Sequence, residues 1–247
     1  MSLADGAIVV LPAGGLGSRI GMPFSKELLP LPGGGAAIDH IIELTINSKV
    51  VDRIVVVIRK HKVDIVDHLA KYADQGMLAI VHQRSDVVDH CGAMMSAAHL
   101  FGEKNIMLLP DHILQFENGR SPVAELLDRL DRTSMAFLAA DIEAVPWASK
   151  AGAVKVARKN GESVVIDYTE HPDRPREYDG VWTAVAFRRE VVSQALSVMA
   201  RAKAGLSIPH DELLACGIAG AGVVWVDGYL DIGEWPRFAK LWNGDCR

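Results

Sequence analysis

Short apolar runs alternate with amphipathic segments over the first half of the chain. The apolar runs have the length of single strands and occupy residues 7–11, 53–58, 77–82, 105–109 and 135–140. Between them, apolar residues recur at helical spacing over residues 36–48, 62–72, 92–100 and 121–129. Alternation of this kind predicts parallel strands that are joined by right-handed helical crossovers and covered on both faces.

The pattern changes after about residue 145. Three apolar runs follow with little helix between them, at residues 153–157, 163–168 and 182–187. The remaining segments predict helices at 191–203, 212–216 and 234–242 and a strand at 223–226. We therefore predict an α/β fold with an open, mostly parallel doubly wound sheet and a mixed or antiparallel extension in the second half. Since no repeat or linker interrupts the pattern, we expect a single domain over residues 1–247.

Composition narrows the class of protein without identifying it. The 247 residues carry a net charge of −5, which provides no electrostatic footprint for nucleic acid or for an anionic membrane. No apolar run is long enough to span a bilayer, and the first residues lack the pattern of a signal peptide. Cys91, Cys216 and Cys246 are widely separated, so we expect no disulfide framework and a reducing cytoplasm.

The segment LPAGGLGSR, followed by KELLP, carries the strongest candidate chemistry. It comes directly after the first predicted strand, at the edge where open α/β sheets bind ligands. Gly14, Gly15 and Gly17 lack side chains, so a phosphate can approach their backbone N–H groups closely. Arg19 adds a planar guanidinium that suits phosphate oxygens, and Lys26 adds a compact ammonium. The loop is therefore predicted to neutralise a triphosphate in an otherwise acidic chain.

Two better known phosphate-binding loops do not fit this segment. The dinucleotide fingerprint requires G-x-G-x-x-G, but after Gly15 and Gly17 the third glycine position is Ile20. The P-loop requires a Gly-Lys-Ser or Gly-Lys-Thr sequence, and neither follows the glycines here. The spacing therefore excludes both motifs and leaves a different kind of phosphate-binding turn.

Together the motifs resemble those of the sugar-1-phosphate nucleotidylyltransferase family. Residues 13–19 are similar to its opening A-G-G-x-G-[ST]-R, and SKELLP at residues 25–30 looks most like glucose-1-phosphate thymidylyltransferases. LLPD at residues 108–111 resembles the strand-end metal aspartate of the family, and YLDIG at residues 229–233 resembles its late W-x-D-[TI]-G motif. Shorter similarities follow in family order at Gln83, Gly92, Gly152-Ala153-Val154 and Glu170-His171-Pro172.

The resemblance implies a Rossmann-like nucleotidyltransferase fold and a reaction. A nucleoside monophosphate would pass from an NTP, dTTP or UTP, to a sugar 1-phosphate, releasing pyrophosphate and forming an NDP-sugar. Arg19 and Lys26 would be catalytic. In a nucleotide-binding half at residues 1–145, the nucleotide would contact Gly14, Gly15, Gly17, Gln83 and Gly92. In the other half, at residues 146–247, the sugar phosphate would contact Gly152, Glu170 and His171.

Asp111 and Asp231 are the two carboxylates that we expect to hold Mg²⁺. Asp111 lies just past a predicted strand, and Asp231 precedes Ile232-Gly233 in the late motif. Mg²⁺ prefers carboxylate and phosphate oxygens, and transfer of a phosphorus group needs charge neutralisation and alignment more than covalent help. Asp227 lies close to Asp231 in the sequence and is an alternative second carboxylate.

Departures from the family pattern leave the substrate open. His171 stands where the family has a lysine that contacts the sugar phosphate, and His112 follows Asp111 where Asn or Asp is commoner. The interval from Arg19 to Lys26 is closer to that of cytidylyltransferases acting on polyol phosphates. A cytidylyltransferase for a polyol-type phosphate and a non-catalytic nucleotide or sugar-phosphate sensor are therefore alternatives. The expected partners are an NTP and a sugar 1-phosphate, and the sequence leaves open whether the protein is a homo-oligomer.

Overall fold

Strands and helices alternate through the computed structural model, which describes residues 6–15, 21–87, 89–117, 119–159 and 161–243. The strands are β1 (Ala7–Pro12), β2 (Arg53–Ile58), β3 (Leu78–His82), β4 (Lys104–Leu108), β5 (His112–Gln115), β6 (Met135–Asp141), β7 (Gly152–Lys159), β8 (Glu162–Glu170), β9 (Gly180–Arg188), β10 (Gly222–Trp225) and β11 (Gly228–Asp231). The α-helices are α1 (Ala37–Ser48), α2 (Val63–Leu69), α3 (His90–Ser96), α4 (Pro122–Arg129), α5 (Arg189–Lys203), α6 (His210–Ala215) and α7 (Trp235–Trp242).

Nine of these strands form one mixed sheet in the order β3-β2-β1-β4-β9-β6-β10-β8-β7. The strands β3, β2, β1 and β4 are parallel and are connected by helical crossovers. β9 enters antiparallel between β4 and β6, and β7 and β8 extend the sheet as an antiparallel pair. The predicted fold class, a doubly wound sheet with a mixed extension, is confirmed.

Apolar clusters pack on both faces of the sheet. One lies under α1, α2 and α4 and includes Val9, Ile41 and Val56. The other lies under α3 and α5 and includes Val10 and Phe187. Because successive residues of a strand point to opposite faces, the continuous apolar runs of β1 and β2 serve both clusters at once.

Local sequence signals set several helix ends. The side chain of Ser121 accepts a hydrogen bond from Ala124 N at the start of α4, and Pro122 occupies the first helical position. Asp89 caps α3 by accepting from Gly92 N at 2.6 Å. Two predicted helices are shorter than expected, since α2 and α3 each give way to 3₁₀ turns, at residues 70–75 and 98–100.

The strands β5 and β11 were not predicted. Each has four residues, and they pair antiparallel in a ribbon separate from the large sheet, with His112 opposite Asp231. A third apolar cluster, which includes Leu29, Ile113 and Ile232, packs against this ribbon. The ribbon therefore joins two segments from opposite halves of the chain.

Within the described ranges, no helix combines the length and the apolar character needed to cross a membrane.

Candidate active site

A cavity of about 370 Å³ opens beyond the carboxyl ends of the parallel strands β1, β3 and β4. This is the edge at which open α/β sheets bind ligands. The predicted site residues that line the cavity are Gly14, Gly15, Lys26, Gln83, Asp111, Gly152, Glu170, His171 and Asp231. The structure thus brings together residues from both halves of the chain.

Lys26 begins a short 3₁₀ turn that is anchored on both sides. The preceding Ser25 donates from its backbone N–H and its hydroxyl to the carboxylate of Asp64, at 2.6 and 2.8 Å. The following Glu27 is fully buried and accepts from the Lys62 ammonium at 2.6 Å. These two anchors hold the turn from which the Lys26 side chain enters the cavity.

The Lys26 ammonium donates to the carboxylate of Asp111 in the cavity wall. Burial alone would lower the pKa of Lys26, but the Asp111 and Glu27 carboxylates outweigh it and hold that pKa above its ordinary value. Burial would raise the pKa of Asp111, but the neighbouring Lys26 and the electrostatic effect of His112 hold it well below its ordinary value. Both groups are therefore charged at neutral pH.

Asp231 reaches the same place through the β5–β11 ribbon. Ile232 N donates to Asp111 O at 3.1 Å, which continues the pairing past the end of the ribbon. The Asp231 carboxylate accepts from Gly233 N at 2.7 Å and from the buried Arg237 at 3.0 Å. A Cβ atom on Gly233 would lie 2.8 Å from an Asp231 oxygen and 3.4 Å from an Asp111 oxygen. The two carboxylates therefore border one small volume, within the span of roughly 8 Å that one or two adjacent ions can bridge.

The alternative carboxylate, Asp227, points elsewhere. It accepts from Glu117 N at 2.8 Å and pairs with Arg120 at 3.2 Å, and it does not line the cavity. Among the described residues, no group of three or more His, Cys, Asp or Glu side chains can hold a metal ion. Of the two candidates for the second carboxylate, Asp231 therefore lies at the cavity and Asp227 does not.

At one end of the cavity, Gly14 lies against Gln83. Gly14 follows β1, and Gln83 follows β3, where its N–H donates to Ile58 O at 2.7 Å. The Gln83 amide nitrogen donates to Val87 O at 3.1 Å, which fixes the side chain. A Cβ atom on Gly14 would overlap with Gln83 Oε1. Glycine at position 14 is therefore required for the amide to lie against the loop.

Gly92, which was also predicted to contact the nucleotide, has a different place in the structure. Gly92 lies in the first turn of α3, where a Cβ atom would lie 2.5 Å from Val87 Cβ, and it does not line the cavity. Its visible role is to let the loop before α3 pack closely. Gly17 and Arg19 lie outside the described residues.

At the other end, Glu170 is held by two donors. The register of β7 and β8 places it opposite Gly152, and its Oε1 accepts from Tyr168 OH at 2.5 Å and from Trp182 Nε1 at 3.0 Å. A Cβ atom on Gly152 would overlap with Trp182 Nε1. The network therefore depends on glycine at position 152.

His171 lies at the rim of the cavity and is exposed. Its backbone is left-handed, with φ 52°, and its N–H donates to Ala151 O at 3.0 Å. The nearby Arg174 does not line the cavity and pairs with Glu177 at 3.2 Å. Lys150 also lies at the rim, on an exposed turn.

His112 and Tyr229, from the two aspartate motifs, also line the cavity. So do several residues that the sequence did not single out: Asp89, His90, Lys150, Trp182, Lys203 and Arg237. Lys203 Nζ donates to His90 Nδ1 at 2.8 Å, a contact between α5 and α3. A lysine at a helix C-terminus is ordinary in a sequence, and a single histidine at the start of another helix carries no motif. Only the packing of the two helices reveals the contact.

A glycine loop after the first strand, a lysine and two carboxylates meet at the carboxyl edge of a doubly wound sheet, and together they define a nucleotidyltransferase. A sequence profile of the Nucleotidyl transferase family matches residues 8–245. The chain belongs to this family. No curated protein sequence matches it significantly.

Solved structures share the fold at low sequence identity. A protein from Bacillus anthracis assigned as a glucose-1-phosphate thymidylyltransferase has a TM-score of 0.75 at 18% identity, over 98% of this chain and 96% of its own. A UDP-glucose pyrophosphorylase from Acinetobacter baumannii has a TM-score of 0.71 at 16% identity, over 96% and 92% of the two chains. A UDP-glucose pyrophosphorylase complexed with UDP-glucose has a TM-score of 0.75 at 15% identity, over 97% and 98%.

Proposed function

We propose that the chain transfers the nucleoside monophosphate of dTTP or UTP to a sugar 1-phosphate, releasing pyrophosphate and forming an NDP-sugar. The observation that carries the proposal is the Lys26–Asp111 pair beside Asp231, between two differently built ends of one cavity. The names of the structural neighbours, a thymidylyltransferase and UDP-glucose pyrophosphorylases, support these two nucleotides and a sugar phosphate.

In this reaction an oxygen of the sugar phosphate attacks the α-phosphorus of the NTP. A new O–P bond forms, the bond between the α-phosphorus and the bridging oxygen breaks, and pyrophosphate leaves with that electron pair. Negative charge concentrates around the α-phosphate, so a fixed cation stabilises the transition state. Lys26 is charged and held in the cavity wall, and we assign it this role. Arg19 is assigned to the departing phosphates.

Mg²⁺ fits the donor set of Asp111 and Asp231. It is ordinarily held by one or two carboxylates, with water and substrate phosphate oxygens completing its shell. Both carboxylates border the same volume, and Gly233 leaves that volume free of a side chain. When bound there, Mg²⁺ would supply charge neutralisation to the phosphate oxygens. The contact of Lys26 with Asp111 keeps the ammonium beside this carboxylate pair.

The two ends of the cavity suit the two substrates. Gln83 presents an immobilised amide beside the glycine loop, where it can pair with the edge of a pyrimidine base. Glu170 uses Oε1 for its two protein hydrogen bonds, so Oε2 can accept from a sugar hydroxyl. Gly152 lets the Trp182 indole lie against its strand, so that Trp182 and Glu170 together form the wall of the sugar end. We assign the nucleotide to the first end and the sugar to the second.

We also infer a cytoplasmic location. Cys91 and Cys216 are buried free thiols, and burial raises the pKa of each, which keeps them protonated and unreactive. Such thiols are ordinary in a reducing compartment.

The experiment is pyrophosphate release with Mg²⁺ and a panel of substrates. Each of dTTP, UTP, CTP, ATP and GTP is paired with sugar 1-phosphates and with polyol phosphates, and Asp111→Asn provides the background. Turnover with dTTP or UTP and a sugar 1-phosphate is the expected result. Turnover confined to CTP and a polyol phosphate would replace the proposal with the cytidylyltransferase alternative. Binding without turnover of any pair would replace it with the sensor.

A further inference from the structure

An ammonium projects into the sugar end of the cavity from a helix that carries none of the residues assigned above. Lys203 is the last residue of α5, and its Nζ donates to Nδ1 of His90, the first residue of α3, at 2.8 Å. Both residues line the cavity, although 113 positions separate them in the sequence. The contact holds a long, flexible side chain in one direction, toward the space next to Trp182.

The partner of this lysine is an imidazole rather than a carboxylate. In the part of the chain that the structure describes, no carboxylate lies within ion-pair distance of Lys203. Because Nδ1 accepts from the ammonium, His90 is the neutral tautomer with its proton on Nε2. Burial, with a further contribution from Lys203, lowers the pKa of His90 to about 3, so the ring stays neutral at physiological pH. His90 therefore orients the ammonium without cancelling its charge.

The Lys203–His90 pair lies next to the residues that are assigned to the sugar. The His90 ring packs edge to face with Trp182, with ring centroids 5.4 Å apart, and Trp182 donates to Glu170 at 3.0 Å. The cation therefore lies on the same wall as the carboxylate that is assigned to the sugar hydroxyls. A cation that is oriented into a cavity, with no anionic partner among the described residues, is suited to an anionic ligand group.

We propose that Lys203 binds the phosphate group of the sugar phosphate and that His90 is the positioning residue that presents it. This inference rests on the proposed function, and it names the cation of the sugar subsite. Two other basic residues of this end are placed differently, since His171 and Lys150 are exposed at the rim. Neither has a hydrogen bond from its side chain among the described residues that would fix it as His90 fixes Lys203.

The test combines charge and acceptor changes at the pair. Lys203→Met is expected to raise KM for glucose 1-phosphate about tenfold or more, the scale of losing a charged hydrogen bond, without changing KM for the NTP. His90→Asn retains an acceptor near Nδ1 and is expected to stay within about threefold of wild type. Aspartate has the same shape as asparagine but carries a negative charge that neutralises the Lys203 ammonium. KM for glucose 1-phosphate should therefore rise in His90→Asp as it does in Lys203→Met. Lys155→Met removes an exposed lysine outside the cavity and serves as the control.

The outcomes separate this inference from the proposed function. If His90→Asn and His90→Asp change KM for glucose 1-phosphate equally, His90 contributes only packing and does not orient Lys203. If that KM rises in Lys150→Met but not in Lys203→Met, the phosphate binds at the rim of the cavity. Either result overturns the proposal. If no substrate pair gives turnover, the proposed function fails. The role of Lys203 and His90 is then tested by calorimetric titration with glucose 1-phosphate, and glucose serves as the phosphate-free comparison. If wild type binds glucose 1-phosphate more tightly than glucose and Lys203→Met loses that difference, the proposal is supported. If wild type and Lys203→Met give the same titration, or if neither binds glucose 1-phosphate, the proposal is overturned.

Discussion

The ammonium of Lys26 contacts the carboxylate of Asp111, although 85 residues separate the two in the sequence. Their side chains are only 17% and 13% exposed, so water screens the attraction weakly. The β5–β11 ribbon adds Asp231 beside them, because its register continues to a hydrogen bond between Ile232 and Asp111. One cation and two anions are therefore fixed by different elements around one point in the cavity.

Removal of either carboxylate should abolish most of the activity without unfolding the protein. Asp111→Asn and Asp231→Asn each remove a charge with little change of shape, and we expect kcat/KM to fall by about 10² or more. Asp227→Asn is the matched control, because Asp227 pairs with Arg120 away from the cavity. Pyrophosphate release measures the activity, and circular dichroism checks the fold. Near-normal rates for either of the first two variants would contradict the assignment of that carboxylate.

Lys26 and Lys62 both lie near the buried Glu27. Replacing each of them in turn should separate an effect on catalysis from an effect on stability. Lys62 is 3% exposed and pairs with Glu27 at 2.6 Å. Lys62→Met leaves that carboxylate without its partner, so we expect the free energy of unfolding to fall by about 3–5 kcal/mol. Lys26→Met should instead lower kcat/KM by about 10². Its loss of stability should be smaller than that of Lys62→Met, because the Asp111 carboxylate borders the open cavity whereas Glu27 is fully buried.

Urea denaturation and pyrophosphate release of these two lysine variants provide the measurement. Glu27→Gln with Lys62→Met supplies a control, because neutralising both partners should restore part of the lost stability. If Lys62→Met is as stable as wild type, Lys62 does not stabilise the buried Glu27 carboxylate. If Lys26→Met retains full activity on a saturating substrate pair, Lys26 is not catalytic.

The fold was accessible from the sequence because the hydrophobic pattern reports burial directly. Continuous apolar runs predicted the parallel strands, and 3.6-residue spacing predicted the helices between them. The sequence did not reveal that β9 inserts between β4 and β6, because strand order depends on pairing across long sequence separations. It also missed β5 and β11, whose four residues are too few to establish a period.

The residues of the candidate site likewise fall into those that the sequence indicates and those that only the structure reveals. The family resemblance singled out Lys26, Asp111 and Asp231, because they lie in short segments with a local sequence signature, and the structure places all three at one cavity. Lys203 has no such signature, and its place in the cavity follows only from the packing of α5 against α3. The assigned roles of Lys26, Asp111 and Asp231 are predictions that the variants above test.

Two glycines should control the two substrates separately. A Cβ atom at Gly14 would overlap with Gln83, whereas one at Gly152 would overlap with Trp182. Overpacking costs about 1–3 kcal/mol, so Gly14→Ala should raise KM for the NTP about tenfold and Gly152→Ala should do the same for the sugar phosphate. Gly33→Ala is the control, because a Cβ atom there meets open space. If both substrates weaken equally in each variant, the cavity does not divide into two ends.

The buried, neutral state of His90 predicts a specific dependence of stability on pH. Burial and the nearby Lys203 lower the pKa of His90 to about 3 in the folded protein, whereas an unfolded histidine titrates near 6.5. Below about pH 6.5 the unfolded chain therefore binds a proton that the folded protein excludes, and the free energy of unfolding falls as pH falls.

His90→Asn isolates this contribution from those of His40 and His112, whose pKa values burial also lowers. Between pH 7 and pH 5.5, wild type should lose about 1 kcal/mol more of its unfolding free energy than the variant does, as measured by urea denaturation at each pH. Above pH 7 the difference between the two proteins should be constant, because both folded and unfolded histidine are then neutral. Parallel profiles over the whole range would mean that the folded protein accepts the proton at His90. Since a protonated imidazole cannot accept from an ammonium, the contact with Lys203 would then be broken in solution.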